Sequence, residues 1–226
     1  MNEKPIWDFL INKIGNEIGA AAVMGNLMAE SSLNPGCTTG KNKTKDYIVD
    51  ADAGRIDFKN DRVAFGLAQW CVWTRKTKLW NYAKSVNKSV GDLQTQLEFL
   101  WKELSEDFPV TCGMMKDAVD IKTASSQFMM RYEKPADQSD KMKQRRANYA
   151  QKFFDQFCSD SKHDTPDIPG KKMVYATDQV NIRITPDKSQ PRLGQLRKGQ
   201  SAEWIASENG WNKIAVWVSG DYTEVR

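Results

Sequence analysis

The stretch AAAVMGNLMAESSLNP, residues 20–35, decides the fold of most of this chain. Its apolar residues recur at the spacing of one helical face: Ala20, Val23 and Leu27. Asn34 precedes a proline, and the residue before proline disfavours the helical conformation, so the helix should stop there. Glu30 falls where the apolar stripe predicts a leucine. We therefore predict a buried helix that carries one carboxylate near its C-terminal end.

A carboxylate at this position has two interpretations. Burial disfavours the charged form, so Glu30 could keep its proton near neutral pH, as a general acid requires. Alternatively, Glu30 lies at the edge of the stripe, where it reaches water or pairs with a lysine. The spacing alone favours the second interpretation and leaves both open.

Composition excludes several classes of protein. The chain has 226 residues, of which 40% are hydrophobic and 27% charged, and this excludes a membrane-inserted protein, a collagen-like fibre and a disordered tail. A net charge of +4 is too mild to indicate a nucleic-acid partner. The four cysteines form no C-x-x-C pair and the single histidine is His163. We therefore expect no metal and no cofactor, and neither a zinc amidase nor a Cys–His hydrolase.

The periodicity divides the chain into two parts. Helical stripes run as far as residue 158, for example Leu93, Leu97, Leu100 and Leu104, then Ala124, Phe128 and Tyr132, then Tyr149, Phe153 and Phe157. Residues 159–172, SDSKHDTPDIPGKK, are polar with two prolines and predict a linker. Short β runs follow, namely MVYA, VNIRI, AEWIA and KIAVWV. We predict a helical domain at 1–158 and a small all-β domain at 173–226.

Several motifs in one order carry a resemblance. GNLMAESSLNP at 25–35, FGLAQW at 65–70, TRKTKLWNYAK at 74–84 and RYEKP at 131–135 resemble the phage tail lysozyme family over nearly all of 1–158. Two positions depart from the family pattern: Ala64 replaces a glycine and Cys71 replaces a threonine. The resemblance implies an α+β fold class, with a mainly α-helical lysozyme-like domain and a loop or small β excursion in the polar segment 36–62.

The resemblance also implies a chemistry. The family cleaves glycan strands between N-acetylmuramic acid and N-acetylglucosamine, and Glu30 matches its catalytic acid. A second carboxylate commonly stabilises the charged sugar or activates water. Asp61 and Asp52, both in the excursion, are our candidates, and the sequence does not choose between them.

Three further residues are expected to contact substrate. The Gln69 amide can donate to and accept from sugar substituents, and the Trp70 indole can stack on a sugar face. Trp70 could equally be a core residue, in which case only Gln69 faces the sugar. Tyr47 belongs to the excursion and matches the family order.

Residues 173–226 resemble a bacterial SH3-like domain. The resemblance rests on TDQVNIRITPD at 177–187, ASENGWNKIAV at 206–216 and GDYTEV at 220–225. It implies a small all-β barrel that binds the bacterial cell wall, and such a module raises the local concentration of an attached enzyme. We expect peptidoglycan as the partner of both domains, no nucleic acid, no membrane insertion and a monomer.

Two other functions stay open. A lytic transglycosylase would also use Glu30 but would close muramic acid on its own hydroxyl. A non-catalytic wall-binding protein would use the helical domain only as a scaffold. The N-terminus lacks a basic region followed by an apolar run, so we expect synthesis without a signal peptide in the host bacterial cytoplasm and action at the wall after release.

Overall fold

The computed structural model describes residues 2–39, 44–158, 170–177, 180–196 and 200–216. The chain forms two compact units, Met1–Cys158 and Ser159–Arg226. Most of the predicted linker, residues 159–169, and the GDYTEV motif lie outside the described residues.

The first unit is helical. A π-helical turn, Met129–Glu133, follows the seventh helix. The α-helices are α1 (Glu3–Ile14), α2 (Glu17–Ser31), α3 (Thr44–Asp52), α4 (Trp73–Ser85), α5 (Leu93–Glu106), α6 (Pro109–Lys116), α7 (Ile121–Phe128) and α8 (Asp140–Cys158).

Helix α2 is the buried centre of this unit. Ten of its 15 residues are buried, so it has core on every side. Its small residues permit close packing, since a Cβ added at Gly25 would lie 2.5 Å from the backbone nitrogen of Ala150 in α8. Asn16 caps its first turn by accepting from the Gly19 amide at 3.0 Å. The helix ends at Ser31, three residues before Asn34, because Ser32 takes a left-handed conformation.

The polar excursion differs from the prediction. Residues 44–52 form helix α3, where the sequence predicted a loop or small β segment. Tyr47 and Ala51 are four residues apart and both are buried, so the segment has an apolar helical face that its charged residues obscured. Two isolated β bridges lie at its edge, Thr38 with Phe65 and Phe65 with Trp70.

The described part of the second unit forms five short strands, β1 (Met173–Tyr175), β2 (Val180–Arg183), β3 (Arg192–Leu196), β4 (Ser201–Glu208) and β5 (Trp211–Ile214). All pairings are antiparallel, with β4 between β1 and β5 and with β2 paired to β3. Within the described part these are two separate sheets. The fold class is therefore α+β, as predicted, and closure into an SH3-like barrel stays a prediction.

None of the helices in the described ranges combines the length and the apolar character that crossing a bilayer requires.

Candidate active site

Glu30 lies in the last turn of α2 and forms an ion pair with Arg146 of α8. Arg146 donates from Nη2 to Glu30 Oε1, and from Nη1 to Asn26 Oδ1 at 3.0 Å. The Arg146 side chain is 4% exposed and that of Glu30 is 17% exposed. No donor from the described residues contacts Glu30 Oε2. The carboxylate is thus fixed through one oxygen, and its other oxygen is available to a ligand.

Asn26 holds Arg146 in place from one helical turn before Glu30. Its Nδ2 donates to the Ala22 carbonyl at 2.8 Å, to the Ser125 carbonyl at 3.1 Å and to Ser125 Oγ at 3.2 Å. Asn26 and Ser125 are fully buried, so these contacts join α2, α7 and α8 without competition from water. In the sequence Asn26 stood out only as part of the motif GNLMAESSLNP, where its amide lies four residues before Glu30.

Gln69 ends a tight turn that fixes its side chain. Phe65 and Trp70 exchange backbone hydrogen bonds of 3.1 and 2.9 Å on either side of the turn. Gln69 itself is left-handed, with φ of 47°, an uncommon conformation for a residue other than glycine. Its Nε2 donates to the Gly66 carbonyl at 2.9 Å and to the Cys37 carbonyl at 3.2 Å.

Cys37 links the Gln69 turn to Glu30. Burial raises the pKa of the Cys37 thiol, a hydrogen bond from Gln69 opposes this, and the negative charge of Glu30 raises it further. A charge effect of this kind requires the two side chains to be close. Gln69, which was predicted to bind substrate, and Glu30 therefore both act on Cys37.

Gln96, which sequence analysis missed, joins three loops beneath this turn. Its Oε1 accepts from the Leu67 amide at 2.8 Å, and its Nε2 donates to the carbonyls of Pro35 and Val90, both at 2.7 Å. Gly66 must lack a side chain here, because a Cβ would lie 2.6 Å from Gln96 Oε1. The signal in the sequence was a glutamine three residues after Leu93, on the apolar face of the predicted helix, and in the structure this glutamine is fully buried.

Trp70 belongs to the core. It is fully buried, and its Nε1 donates to Glu103 Oε2 at 3.0 Å. Glu103 also accepts two bonds of 2.7 Å from Arg75 and one of 2.6 Å from the Tyr132 hydroxyl. In this structure Trp70 presents no face to a sugar, in line with the alternative that it is a core residue.

Asp61 and Tyr47 form a separate network around a buried lysine. Lys76 is fully buried and contacts Asp61 Oδ1, the Tyr47 hydroxyl at 3.0 Å and the Val63 carbonyl at 2.9 Å. Tyr47 donates to Asp61 Oδ2 at 2.6 Å. Burial lowers the pKa of Lys76, and burial followed by the bond to Asp61 raises the pKa of Tyr47. Both oxygens of Asp61 are thus held within the protein.

Asp52 joins the end of α3 to neighbouring segments. Its Oδ1 accepts from the Val90 amide at 2.9 Å, and its backbone carbonyl accepts from Lys84 Nζ at 2.7 Å. These bonds fasten the excursion to α4 and to the loop before α5. Among the described residues, neither Asp52 nor Asp61 has a hydrogen-bond partner in common with Glu30.

A second carboxyl, which did not stand out in the sequence, interacts electrostatically with Glu30. Glu133 ends the π turn, and burial raises its pKa well above the usual range, as does repulsion from Glu30. Glu133 belongs to the RYEKP motif, which was the signal available. Across the described ranges, no three His, Cys, Asp or Glu side chains are grouped to hold a metal ion.

The fold and the site together define a class. A helical domain whose central helix ends in a carboxylate fixed by an arginine suits a glycoside hydrolase, in which a carboxyl group protonates the leaving oxygen. The family model for phage tail lysozyme matches residues 1–157, and the chain belongs to that family. This confirms the resemblance of the first domain and makes the chain a lysozyme-like peptidoglycan hydrolase of the glycoside hydrolase class, with peptidoglycan as substrate. No curated protein matches the sequence.

Proposed function

We propose that residues 1–158 form an N-acetylmuramidase that cleaves the β-1,4 bond between N-acetylmuramic acid and N-acetylglucosamine, with Glu30 as general acid. The observation that carries this proposal is the position of Glu30. It lies in the family motif at the end of the buried central helix, with Oε1 held by Arg146 and Oε2 without a donor from the described residues. A fixed carboxyl with one available oxygen can donate a proton in a defined direction.

In the proposed reaction, Glu30 gives its proton to the glycosidic oxygen as the bond to the sugar carbon breaks. Positive charge develops on the muramic acid ring. A water molecule then supplies the hydroxyl group of the new reducing end, and its other proton passes to a second carboxylate acting as base or back to the Glu30 carboxylate. The Gln69 amide is proposed to bind a sugar substituent beside the bond that breaks.

Asp61 and Asp52 remain proposals for the second carboxylate. Both now accept hydrogen bonds that hold the excursion together, and Asp61 is also paired with Lys76. Because both aspartates are occupied by these contacts, a second candidate function is lytic transglycosylation, which needs no carboxylate to activate water. Substitution of each aspartate by asparagine would test the two roles separately.

Mass spectrometry of the fragments released from purified peptidoglycan separates these functions. Reducing N-acetylmuramic acid ends would support the muramidase, and 1,6-anhydro ends would support the transglycosylase. Folded Glu30→Gln should release neither kind of fragment, because a neutral amide cannot donate the proton. Full release by this variant would remove Glu30 from the mechanism.

We further propose that residues 173–226 bind the cell wall and hold the enzyme there after its release from the cytoplasm. Tethering raises the local concentration of a catalytic domain at an insoluble substrate. The full-length Glu30→Gln protein should therefore co-sediment with purified walls without digesting them. Failure to co-sediment, while the unaltered protein still digests walls, would contradict wall targeting.

A further inference from the structure

One side of α4 carries two tryptophans that take no part in the site described above. Trp73, Thr77, Trp80 and Lys84 follow each other at intervals of four, three and four residues, so they form one row along the helix. The two tryptophans are about 10 Å apart along the helix axis. Trp73 is 61% exposed, and Trp80 packs in part against the core. We call these four residues the α4 face.

The α4 face lies beside the polar excursion. Lys59 of the excursion places its Nζ 4.7 Å from the centroid of the Trp80 ring. Lys84 donates from Nζ to the carbonyl of Asp52, the last residue of α3, at 2.7 Å. The excursion therefore contributes a lysine to the same surface, and the contact of Lys84 fixes that surface against α3.

The positive charges of this surface are not balanced by carboxylates. Nζ of Lys84 lies 5.4 Å from the centroid of the Trp80 ring that Lys59 also approaches. Neither ammonium group forms an ion pair with a carboxylate of the described residues. Two like charges against one ring repel each other, and a bound anionic group would relieve this repulsion. With the exposed indole of Trp73, the surface fits a ligand that has both an apolar side and negative charge.

The α4 face begins next to the turn that bears Gln69. Trp73 follows Gln69 by four residues, and four residues span at most about 14 Å. Gln69 and Glu30 both act on Cys37. The substrate, peptidoglycan, is a polymer, so a strand bound for cleavage continues beyond the bond that breaks. A row of side chains that starts after the Gln69 turn and runs along α4 is available to this continuation.

We propose that the α4 face binds the peptidoglycan strand away from the bond that is cleaved. The Trp73 indole stacks on a sugar ring, because its apolar face matches the C–H face of the sugar. Lys59 and Lys84 contact carboxylates of the muramic acid or of the peptide stems, since hydrogen bonds between charged partners are strong. The choice of ligand rests on the proposed function, whereas the existence of an aromatic and basic surface does not.

This arrangement would select against uncharged glycans. A neutral strand could stack on Trp73 but would leave both lysines without an anionic partner. The α4 face would thus add to the affinity for strands that carry muramic acid and peptide stems.

Binding of soluble peptidoglycan strands tests the proposal in the full-length Glu30→Gln protein, which should not cleave them. Strands released by sonication of purified walls are titrated by calorimetry. Adding Trp73→Ala should weaken binding about 5-fold or more, and Trp73→Phe should weaken it less, because a smaller aromatic ring still stacks. Melting temperatures would verify that these variants are folded. Unchanged affinity after Trp73→Ala would overturn the proposal.

Lys59→Gln tests the charged part of the surface without altering a tryptophan. It should weaken binding and make the affinity less dependent on salt concentration, because one contact between opposite charges is lost. Lys78→Gln is the matched control, because it removes a lysine of the same helix that lies off the α4 face and is paired with Asp107. Equal effects of the two substitutions would overturn the role of Lys59.

Two other results would overturn the choice of ligand. If double-stranded DNA binds as tightly, and Trp73→Ala and Lys59→Gln weaken it equally, the surface is a general anion site. If the unaltered protein forms a dimer that Trp73→Ala dissociates, the surface is a contact between copies of the chain.

The proposed function and this inference fail in different ways. If the unaltered protein releases no glycan fragments from purified walls, the proposed function fails, and the strand titrations still decide whether the α4 face binds. If fragments are released and Trp73→Ala binds strands as tightly as before, the enzyme stands and this inference is wrong.

Discussion

Arg146 and Glu30 are 116 residues apart in sequence, and their side chains form an ion pair between α8 and α2. The same guanidinium also donates to Asn26, one helical turn before Glu30. The planar guanidinium of arginine can donate to the side chains of Asn26 and Glu30 at once, whereas the single ammonium group of lysine lacks this forked geometry. The position of the carboxylate is therefore set by an arginine from a distant part of the chain.

Arg146→Lys is expected to keep the positive charge and lose one of the two contacts. The carboxylate of Glu30 would then be less well placed, and kcat should fall about 100-fold, the typical effect of a displacement near 1 Å at a reacting group. Kinetics on peptidoglycan would measure this. The matched control is Arg145→Lys in the same helix, where the arginine is exposed. Equal activity of both variants would contradict a positioning role for Arg146.

Gln96→Ala is expected to loosen the loops around the Gln69 turn. The substitution leaves the Leu67 amide and the carbonyls of Pro35 and Val90 without their partner, and one buried unpaired group costs about 1–3 kcal/mol. The free energy of unfolding, measured in urea, should fall by at least about 1 kcal/mol. Gln94→Ala, an exposed position of the same helix, is the control and should change little. Similar values for the two variants would count against this role of Gln96.

Two tryptophans close in sequence should respond differently to replacement by phenylalanine. Trp70→Phe loses the buried bond to Glu103, at a cost of about 1–3 kcal/mol in unfolding free energy. Trp73→Phe alters a side chain that is 61% exposed and should stay within about 0.5 kcal/mol. Thermal or urea unfolding would compare them. A raised KM for Trp70→Phe, with no loss of stability, would instead favour direct sugar stacking by Trp70.

The raised pKa of Glu133 makes stability depend on pH in a definite direction. The pKa of Glu133 is higher in the folded protein than in the unfolded chain. At pH values between the two, the folded protein holds a proton that the unfolded chain has lost. The contribution of Glu133 to stability is therefore present at low pH and is lost as the pH rises. Glu133→Gln removes this dependence. We therefore subtract the melting temperature of the unaltered protein from that of the variant. This difference should be larger at pH 8 than at pH 4.

Melting curves at several pH values would test this without any substrate. Glu106→Gln, which makes the same change at an exposed carboxylate paired with Lys102, is the control, and its difference from the unaltered protein should not grow with pH in the same way. A constant difference for Glu133→Gln across the range would contradict the raised pKa.

The sequence predicted the elements whose causes are local. The buried stripe within residues 20–35 corresponds to α2. The stripe of Tyr149, Phe153 and Phe157 corresponds to the C-terminal half of α8. The prediction of a loop or small β segment at 36–62 missed helix α3, because charged residues there outnumber the few apolar residues that bury this helix. Strand β3 was missed because RLGQL contains only two large apolar residues.

The site was only partly predictable, because its partners come together through tertiary packing. Glu30 and Gln69 stood out within their motifs. Arg146 and Glu133 lie more than 100 positions beyond Glu30, and nothing in their local sequence shows which carboxylate they meet. Asp61 pairs with Lys76, a fully buried lysine that lies 15 residues later in helix α4. The sequence of the acidic loop therefore does not show which of its aspartates form ion pairs and which face a ligand.

The π turn at Met129–Glu133 has a genetic consequence. A π turn holds one residue more than an α turn, so removing a single codon within it would restore an ordinary helix through this region. The stripe before the turn would be kept, while Glu133 and the residues after it would change their positions around the helix axis. Loss of one amino acid is thus a short mutational path to a different set of buried side chains at this end of the same scaffold.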